Sequence, residues 1–313
     1  MKQGLGFIFP GQGSQKVGML SELGQEFAVV KSTFDEASAV LAYDLWELVQ
    51  HDSKDELNQT QITQPAILTS SVAIWRLWLE QGGAKPVLMA GHSLGEYSAM
   101  VCGGVLSFSD AVALVSKRGE FMQSAVPVGV GSMAAIVGLD DHLVIAACTK
   151  AEQGEVVAAV NFNSPGQVVI AGHTQAVERA IELCKEAGAK RALSLPVSAP
   201  FHSVLMEPAA ERFASELDAV TFNTPDIPVL QNYGLEASSE PTQIRDKLLK
   251  QIFNPVPWVG TIEGFSERGI NTVFELGPGK VLCGLNKRIA PAMACHSIND
   301  TLSLQNALME NQE

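Results

Sequence analysis

A serine sits between two glycines in Ala90-Gly91-His92-Ser93-Leu94-Gly95-Glu96, the spacing that holds a nucleophile. The run follows Val87-Leu88-Met89, which reads as a short buried strand. It precedes Tyr97-Ser98-Ala99-Met100-Val101, which reads as the start of a helix. A G-x-S-x-G segment at a strand-to-helix corner is a nucleophile elbow. Gly91 and Gly95 have no side chains, so strand and helix can approach closely while the serine takes up a strained backbone conformation. The hydroxyl then projects from the top of a sheet, beside the positive end of a helix. Such a short pattern also recurs by chance; the strand and helix on either side give this one its weight.

A serine hydroxyl is weakly reactive at neutral pH and needs a base. Six histidines are available. His51, His142, His173 and His296 fall in expected loop or helix contexts at the surface, with no partner signal. His92 adjoins the serine, but its side chain is expected to diverge from it and to support the structure. His202, in Pro200-Phe201-His202-Ser203, lies where the chain is expected to re-enter its larger domain. A serine hydrolase would place an acid between serine and histidine in chain order. No acid between Ser93 and His202 stands out.

Gly11-Gln12-Gly13 follows the first strand and invites a phosphate-loop reading, which fails. The dinucleotide pattern needs glycine at position 16, which is Lys16, and Gly279-Lys280 lacks the spacing and the hydroxyl residue of a P-loop. The alternative use of the loop is to present a backbone N–H toward the elbow. Hydrolase-like oxyanion holes combine the N–H after the nucleophile with one from a neighbouring strand-end loop, which here are Leu94 and Gln12. Alternatively, the two glycines only make a tight turn.

These groups need a scaffold, and hydrophobic periodicity supplies one. Leu5–Phe9 reads as the first strand, followed by helices near Gly24–Leu41 and Ala66–Gln81, the elbow strand, and helices near Leu94–Gly104 and Phe108–Ala125. The middle reads strand Ser132–Leu139, helix Asp140–Lys150, strands Val156–Asn161 and Gln167–Ala171, helix Thr174–Ala187 with Thr174 as its N-cap, and strand Lys190–Leu195. That β-α-β-β-α-β order is the split, ferredoxin-like unit. Val128-Gly129-Val130-Gly131 before it, and Pro196 and Pro200 after it, mark crossing points. Helix Glu207–Val220, a strand near Ile227–Leu230, helices Thr242–Ile252 and Val256–Arg268, strand Thr272–Leu276 and a further helix then resume the α/β pattern. The expected fold is an α/β hydrolase-like catalytic domain with a parallel sheet, over 1–128 and 197–313, with a ferredoxin-like subdomain inserted at 129–196.

Composition limits the partners. With 313 residues, 46% hydrophobic and 18% charged, the chain is globular with ample core. A net charge of −13 argues against nucleic acid and anionic membranes, and no apolar run is long enough to span a bilayer. Met1-Lys2-Gln3-Gly4 runs straight into a strand, too short for a signal peptide. Five cysteines without framework or metal spacing suit a reducing cytoplasm as core filler. Two local basic pairs, Lys190-Arg191 and Lys287-Arg288, remain available to an anionic ligand.

The segments together closely resemble the malonyl-CoA:acyl carrier protein transacylases of bacterial fatty acid synthesis, an acyltransferase family related to acyltransferase domains of polyketide synthases. The matching residues are Phe9-Pro10-Gly11-Gln12-Gly13-Ser14-Gln15, Gln64-Pro65-Ala66, Gly91 through Tyr97 and Arg118-Gly119. They continue with Asn161-Phe162-Asn163-Ser164-Pro165-Gly166-Gln167, Pro200-Phe201-His202-Ser203, Gln251 and Glu275-Leu276-Gly277-Pro278-Gly279-Lys280. The resemblance covers nearly the whole chain in order.

That resemblance implies Ser93 as nucleophile and His202 as general base, with the base oriented by the main-chain carbonyl of Gln251 rather than by an acid. The Gln251 side chain is then expected to matter little. Arg118 is implied as the clamp of a malonyl carboxylate, with Gln64 and Asn163 in the same pocket. Phe201 resembles the malonyl-selective form of the polyketide motif. The implied reaction is a ping-pong transfer from malonyl-CoA to acyl carrier protein, with malonyl-CoA as substrate and with no metal or other cofactor. A serine hydrolase or thioesterase, an acyltransferase of a polyketide pathway and a non-catalytic binding module are the alternatives.

Overall fold

The computed structural model describes residues 2, 4–197 and 199–310. Of the expected larger domain, Met1, Gln3, Ser198 and residues 311–313 lie outside the described residues. Strand β1 (Leu5–Phe9) is buried along its whole length, as a strand covered on both faces must be. Helices α1 (Ser21–Glu26), α2 (Ala28–Leu41), α3 (Leu45–His51) and α4 (Thr60–Glu80) follow, then β2 (Leu88–Gly91), α5 (Gly95–Cys102) and α6 (Phe108–Gln123).

Two expectations are corrected in this stretch. The single helix read over 24–41 is interrupted at Phe27, whose extended backbone (φ −123°, ψ 114°) separates α1 from α2. The helix expected from Ala66 begins at Thr60 and carries Pro65 inside it. A proline so near the start removes one main-chain bond and leaves the long apolar remainder to hold the helix. Helix α3, not foreseen, is nucleated by Asp44, whose carboxylate accepts the Glu47 N–H at 2.9 Å.

The middle of the chain runs β3 (Gly131–Val137), α7 (Asp141–Ala151), β4 (Val157–Ser164), β5 (Gln167–His173), α8 (Thr174–Glu186) and β6 (Arg191–Ser194). Its four strands form an antiparallel sheet in the order β4-β5-β3-β6, the ferredoxin-like arrangement. Helix α8 buries Ala176, Val177, Ala180, Ile181 and Cys184, one helical face, in a cluster with Ala134, Ile136, Val168 and Ile170. Thr174 is not the cap of this helix. His173 holds that position, and the Thr174 hydroxyl donates to the Gly129 carbonyl at 2.9 Å. His173 thus ends a strand, and its Nδ1 accepts the Val156 N–H at 2.9 Å.

The chain then continues through α9 (Glu207–Asp218), β7 (Val229–Leu230), α10 (Pro241–Gln251), α11 (Trp258–Glu267), β8 (Thr272–Leu276), α12 (Val281–Ile289), β9 (Ala294–Ile298) and α13 (Thr301–Glu310). The main sheet has the order β7-β2-β1-β8-β9, with every neighbouring pair parallel. Side chains alternate across it. Phe7, Phe9, Met89 and Phe274 join the cluster of α4, α5 and α6 on one face, while Ile8, Leu88, Ala90 and Val273 join Trp258, Ile262 and Leu282 on the other. Phe7 meets Trp75 and Trp78 edge-on, with ring centres 5.7 and 5.6 Å apart.

The architecture is a hydrolase-like parallel core with a ferredoxin-like unit set between α6 and α9. The two layers are joined by backbone bonds: the Phe162 N–H donates to the Val256 carbonyl at 3.0 Å, and the Val256 N–H to Val160 at 2.8 Å. Strand β9 and helix α13 were not read from the sequence. His296 lies exposed on that edge strand, not in a loop or helix. Among the described residues no helix is long and apolar enough to cross a membrane.

Candidate active site

β2 ends at Gly91 and α5 begins at Gly95, so the chain turns within three residues. A Cβ on Gly91 would lie 1.8 Å from the carbonyl carbon of Gly95, and one on Gly95 would lie 2.0 Å from the Phe9 carbonyl oxygen. Neither position admits a side chain. The turn puts Ser93 in the left-handed region, at φ 51°, which L-residues rarely use. Asn232 braces it from the loop after β7. Its Oδ1 accepts the Ser93 N–H at 2.9 Å, and its Nδ2 donates to the Gly91 carbonyl at 2.8 Å.

Ser93 Oγ lies 2.7 Å from His202 Nε2, and His202 Nδ1 lies 2.9 Å from the Gln251 carbonyl oxygen. A carbonyl only accepts, so Nδ1 carries the proton and the lone pair of Nε2 faces the hydroxyl. Burial first, and the Arg118 charge second, push the His202 pKa down to about 3, against the opposing pull of the Gln251 and Asn254 backbone. The ring is therefore neutral at neutral pH. His202 also has a left-handed backbone, at φ 64°.

Arg118, on α6, is fully buried. Its Nη1 donates to Gln64 Oε1 at 2.8 Å, and its Nη2 donates to Gln251 Oε1 at 2.9 Å and to Ser93 Oγ at 3.1 Å. The guanidinium lies over the Tyr97 ring at 5.3 Å. His92 turns the other way: its Nε2 is 2.8 Å from Asn163 Oδ1 on β4, and burial lowers its pKa. Between the two sheets lies a cavity of about 530 Å³. Gln12, Gln64, His92, Ser93, Leu94, Arg118, Asn163, Phe201 and His202 all line it, with Met133, Ala135 and Val169 of the small sheet as the facing wall.

Family comparison shows what kind of protein this is. The family described as the acyl transferase domain matches residues 6–287. The chain belongs to the acyl transferase domain family. A malonyl CoA-acyl carrier protein transacylase of Salmonella typhimurium is 55% identical over 304 residues, covering 97% of this chain and 98% of that protein. The structure of the Coxiella burnetii transacylase superposes with a TM-score of 0.98 at 48% identity, covering 100% of this chain and 99% of the other. A malonyl-transacylase solved in complex with a type II PKS acyl-carrier protein superposes with a TM-score of 0.96 at 53% identity, covering 98% and 99%.

In this acyl transferase two site features escaped the sequence reading. The Gln251 side chain, expected to matter little, is a hub: its Oε1 takes Arg118, while its Nε2 donates to the Ser93 carbonyl at 2.9 Å and to Glu96 Oε2 at 2.7 Å. Glu96 is the buried acid in the interval where none stood out. It is fully buried, and burial pushes its pKa up to about 7 against three hydrogen bonds and Arg118. It reaches Gln251, not His202, so it does not complete a hydrolase triad. In sequence, an acid in the first turn of a helix looks like an ordinary dipole partner.

Proposed function

We propose that this acyl transferase moves the malonyl group from malonyl-CoA to the phosphopantetheine thiol of acyl carrier protein, through a malonyl ester on Ser93. Ser93 Oγ attacks the thioester carbonyl as His202 Nε2 takes its proton, and the N–H groups of Leu94 and Gln12 receive the oxyanion. The intermediate collapses by breaking the C–S bond, and the CoA sulfur leaves with the proton from His202. The carrier thiol then gives its proton to His202 and attacks the ester carbonyl; the bond from that carbonyl to Ser93 Oγ breaks, and Ser93 takes the proton back from His202. A thiolate is a good leaving group, so a histidine held by a neutral carbonyl suffices. The exchange of a thioester for an ester asks for no metal or other cofactor.

The observation that carries this reading is Arg118 Nη2 at 3.1 Å from Ser93 Oγ. A malonyl group bound to that oxygen ends in a carboxylate one methylene beyond its carbonyl, within reach of the guanidinium. Gln64, holding Nη1, and Asn163 and Phe201 across the cavity shape the rest of the pocket. The unpaired thiols of all five cysteines fit a cytoplasmic location. Lys287 and Arg288 stand on α12, whose Leu282 and Leu285 line the cavity; these two and the pair Lys190 and Arg191 are the proposed contacts of an acidic carrier protein.

The test is mass spectrometry of the protein after incubation with malonyl-CoA. A malonyl adduct on the peptide containing Ser93, discharged by added carrier protein, is expected. An adduct on a cysteine peptide, or discharge to water alone at the same rate, would overturn the reading.

A further inference from the structure

Glu96 takes no part in the mechanism above, yet it is fully buried one helical turn from the nucleophile. Its Oε2 accepts the Asn232 N–H at 3.0 Å and Gln251 Nε2 at 2.7 Å, and its Oε1 accepts Gln231 Nε2 at 3.2 Å. The Ser93 carbonyl can only accept and the Arg118 guanidinium can only donate. Gln251 therefore turns its NH₂ toward the Ser93 carbonyl and Glu96 Oε2, which leaves its carbonyl oxygen facing Arg118. Were the amide reversed, an NH₂ would confront the guanidinium, donor against donor, and Arg118 would lose the partner that holds Nη2 beside Ser93.

We infer that Glu96 is a positioning residue for acyl selectivity: through the Gln251 amide it fixes the Arg118 guanidinium over Ser93 in the pose that receives a carboxylated acyl group. The chain of contacts runs from the first turn of α5, through the end of α10, to α6, and needs no contact between Glu96 and substrate. The inference rests on the reading of Arg118 as the carboxylate clamp. Asn232 also accepts from Gln251 Nε2, but at 3.4 Å; its shorter bonds go to the elbow backbone, whereas the 2.7 Å bond of Glu96 goes to the amide that ends on the selectivity group.

The test compares kcat/KM for malonyl-CoA and acetyl-CoA in the full-length wild type, Glu96→Ala, Glu96→Gln, Gln251→Met and, as reference, Arg118→Ala. Glu96→Ala removes the shorter of the two bonds that hold the amide NH₂ and leaves only the Ser93 carbonyl to orient it, and the malonyl-to-acetyl ratio is expected to fall about tenfold or more, the low end for a lost hydrogen bond to a charged group. Glu96→Gln can still accept from Gln251 through its own carbonyl and is expected to recover most of that ratio. Gln251→Met keeps the main-chain carbonyl that orients His202 but deletes the relay. It is expected to reproduce the fall even if Glu96→Ala does not fold. Equal losses on the two substrates in Glu96→Ala, or an unchanged ratio in Gln251→Met, would overturn the inference. A ratio unmoved in Arg118→Ala would instead overturn the clamp itself, and this inference with it.

Discussion

Replacing Arg118 by alanine should invert the acyl preference of the enzyme. The side chain is 1% exposed and holds Gln64, Gln251 and Ser93 Oγ through its two terminal nitrogens. A malonyl carboxylate arriving in that place exchanges water for a charged, planar donor pair. Removing the arginine leaves the carboxylate buried and unpaired, which costs about 3–5 kcal/mol for a broken buried ion pair. At about 1.4 kcal/mol per decade, that is a loss of roughly 10²–10⁴ in kcat/KM for malonyl-CoA. Acetyl-CoA brings no charge and faces no such penalty, so its kcat/KM should hold or rise. Arg118→Lys should recover only part of the malonyl activity, because an ammonium keeps the charge but not the fork. The assay is kcat/KM for both thioesters on each variant, with circular dichroism to confirm folding. Equal losses on both substrates would show that Arg118 supports the fold or binds the CoA portion, and would refute the reasoning.

Further outcomes are expected. Ser93→Ala should fold normally and form no acyl adduct, as mass spectrometry will show, whereas Gly95→Ala, whose Cβ would lie 2.0 Å from the Phe9 carbonyl oxygen, should lower the melting temperature and abolish the elbow. His202→Ala should slow acylation by roughly 10²–10⁴, as loss of a general base does. The His202 pKa is lowered to about 3, so the base stays neutral and kcat/KM should not fall on its account between about pH 7 and pH 5. Burial raises the Glu96 pKa to about 7, so an inflection near pH 7 is expected from Glu96; if it persists in Glu96→Gln, the assignment fails. Reversing the charges of Lys287 and Arg288 should raise the KM for carrier protein more than that for malonyl-CoA and weaken its salt dependence; unchanged carrier kinetics would move the docking site elsewhere.

The parts of the site that could be read from sequence are those whose physics is local. Gly91, Ser93 and Gly95 announce the elbow because the close approach of β2 and α5 is settled within five residues. The pairing of Ser93 with His202 spans 109 positions and that of His202 with Gln251 spans 49; no periodicity encodes either, and only the family resemblance pointed to them. Asn232 and the Gln251 amide went unread for a related reason. An amide after a strand or at a helix end is an ordinary capping residue until the partner segments fold against it. The missed elements are equally explicable. β9 buries only Ile298, too little alternation to register, and Pro65 hid the first turn of α4.

Ser93 at φ 51° and His202 at φ 64° place both reacting side chains on backbone that glycine adopts freely and other residues adopt at a cost of about 1–2 kcal/mol. The enzyme is thus held below its attainable stability at the two positions it cannot change. Loss of function by Ser93→Gly relieves that tension, and a dead enzyme can outlast the living one in a melting experiment; at His202, which is buried and bonded to Ser93 and Gln251, the cavity left by glycine outweighs the relief. Screens that rank variants of this protein by thermal stability alone will therefore drift toward inactive chains at Ser93, and any such search needs turnover as a second criterion there.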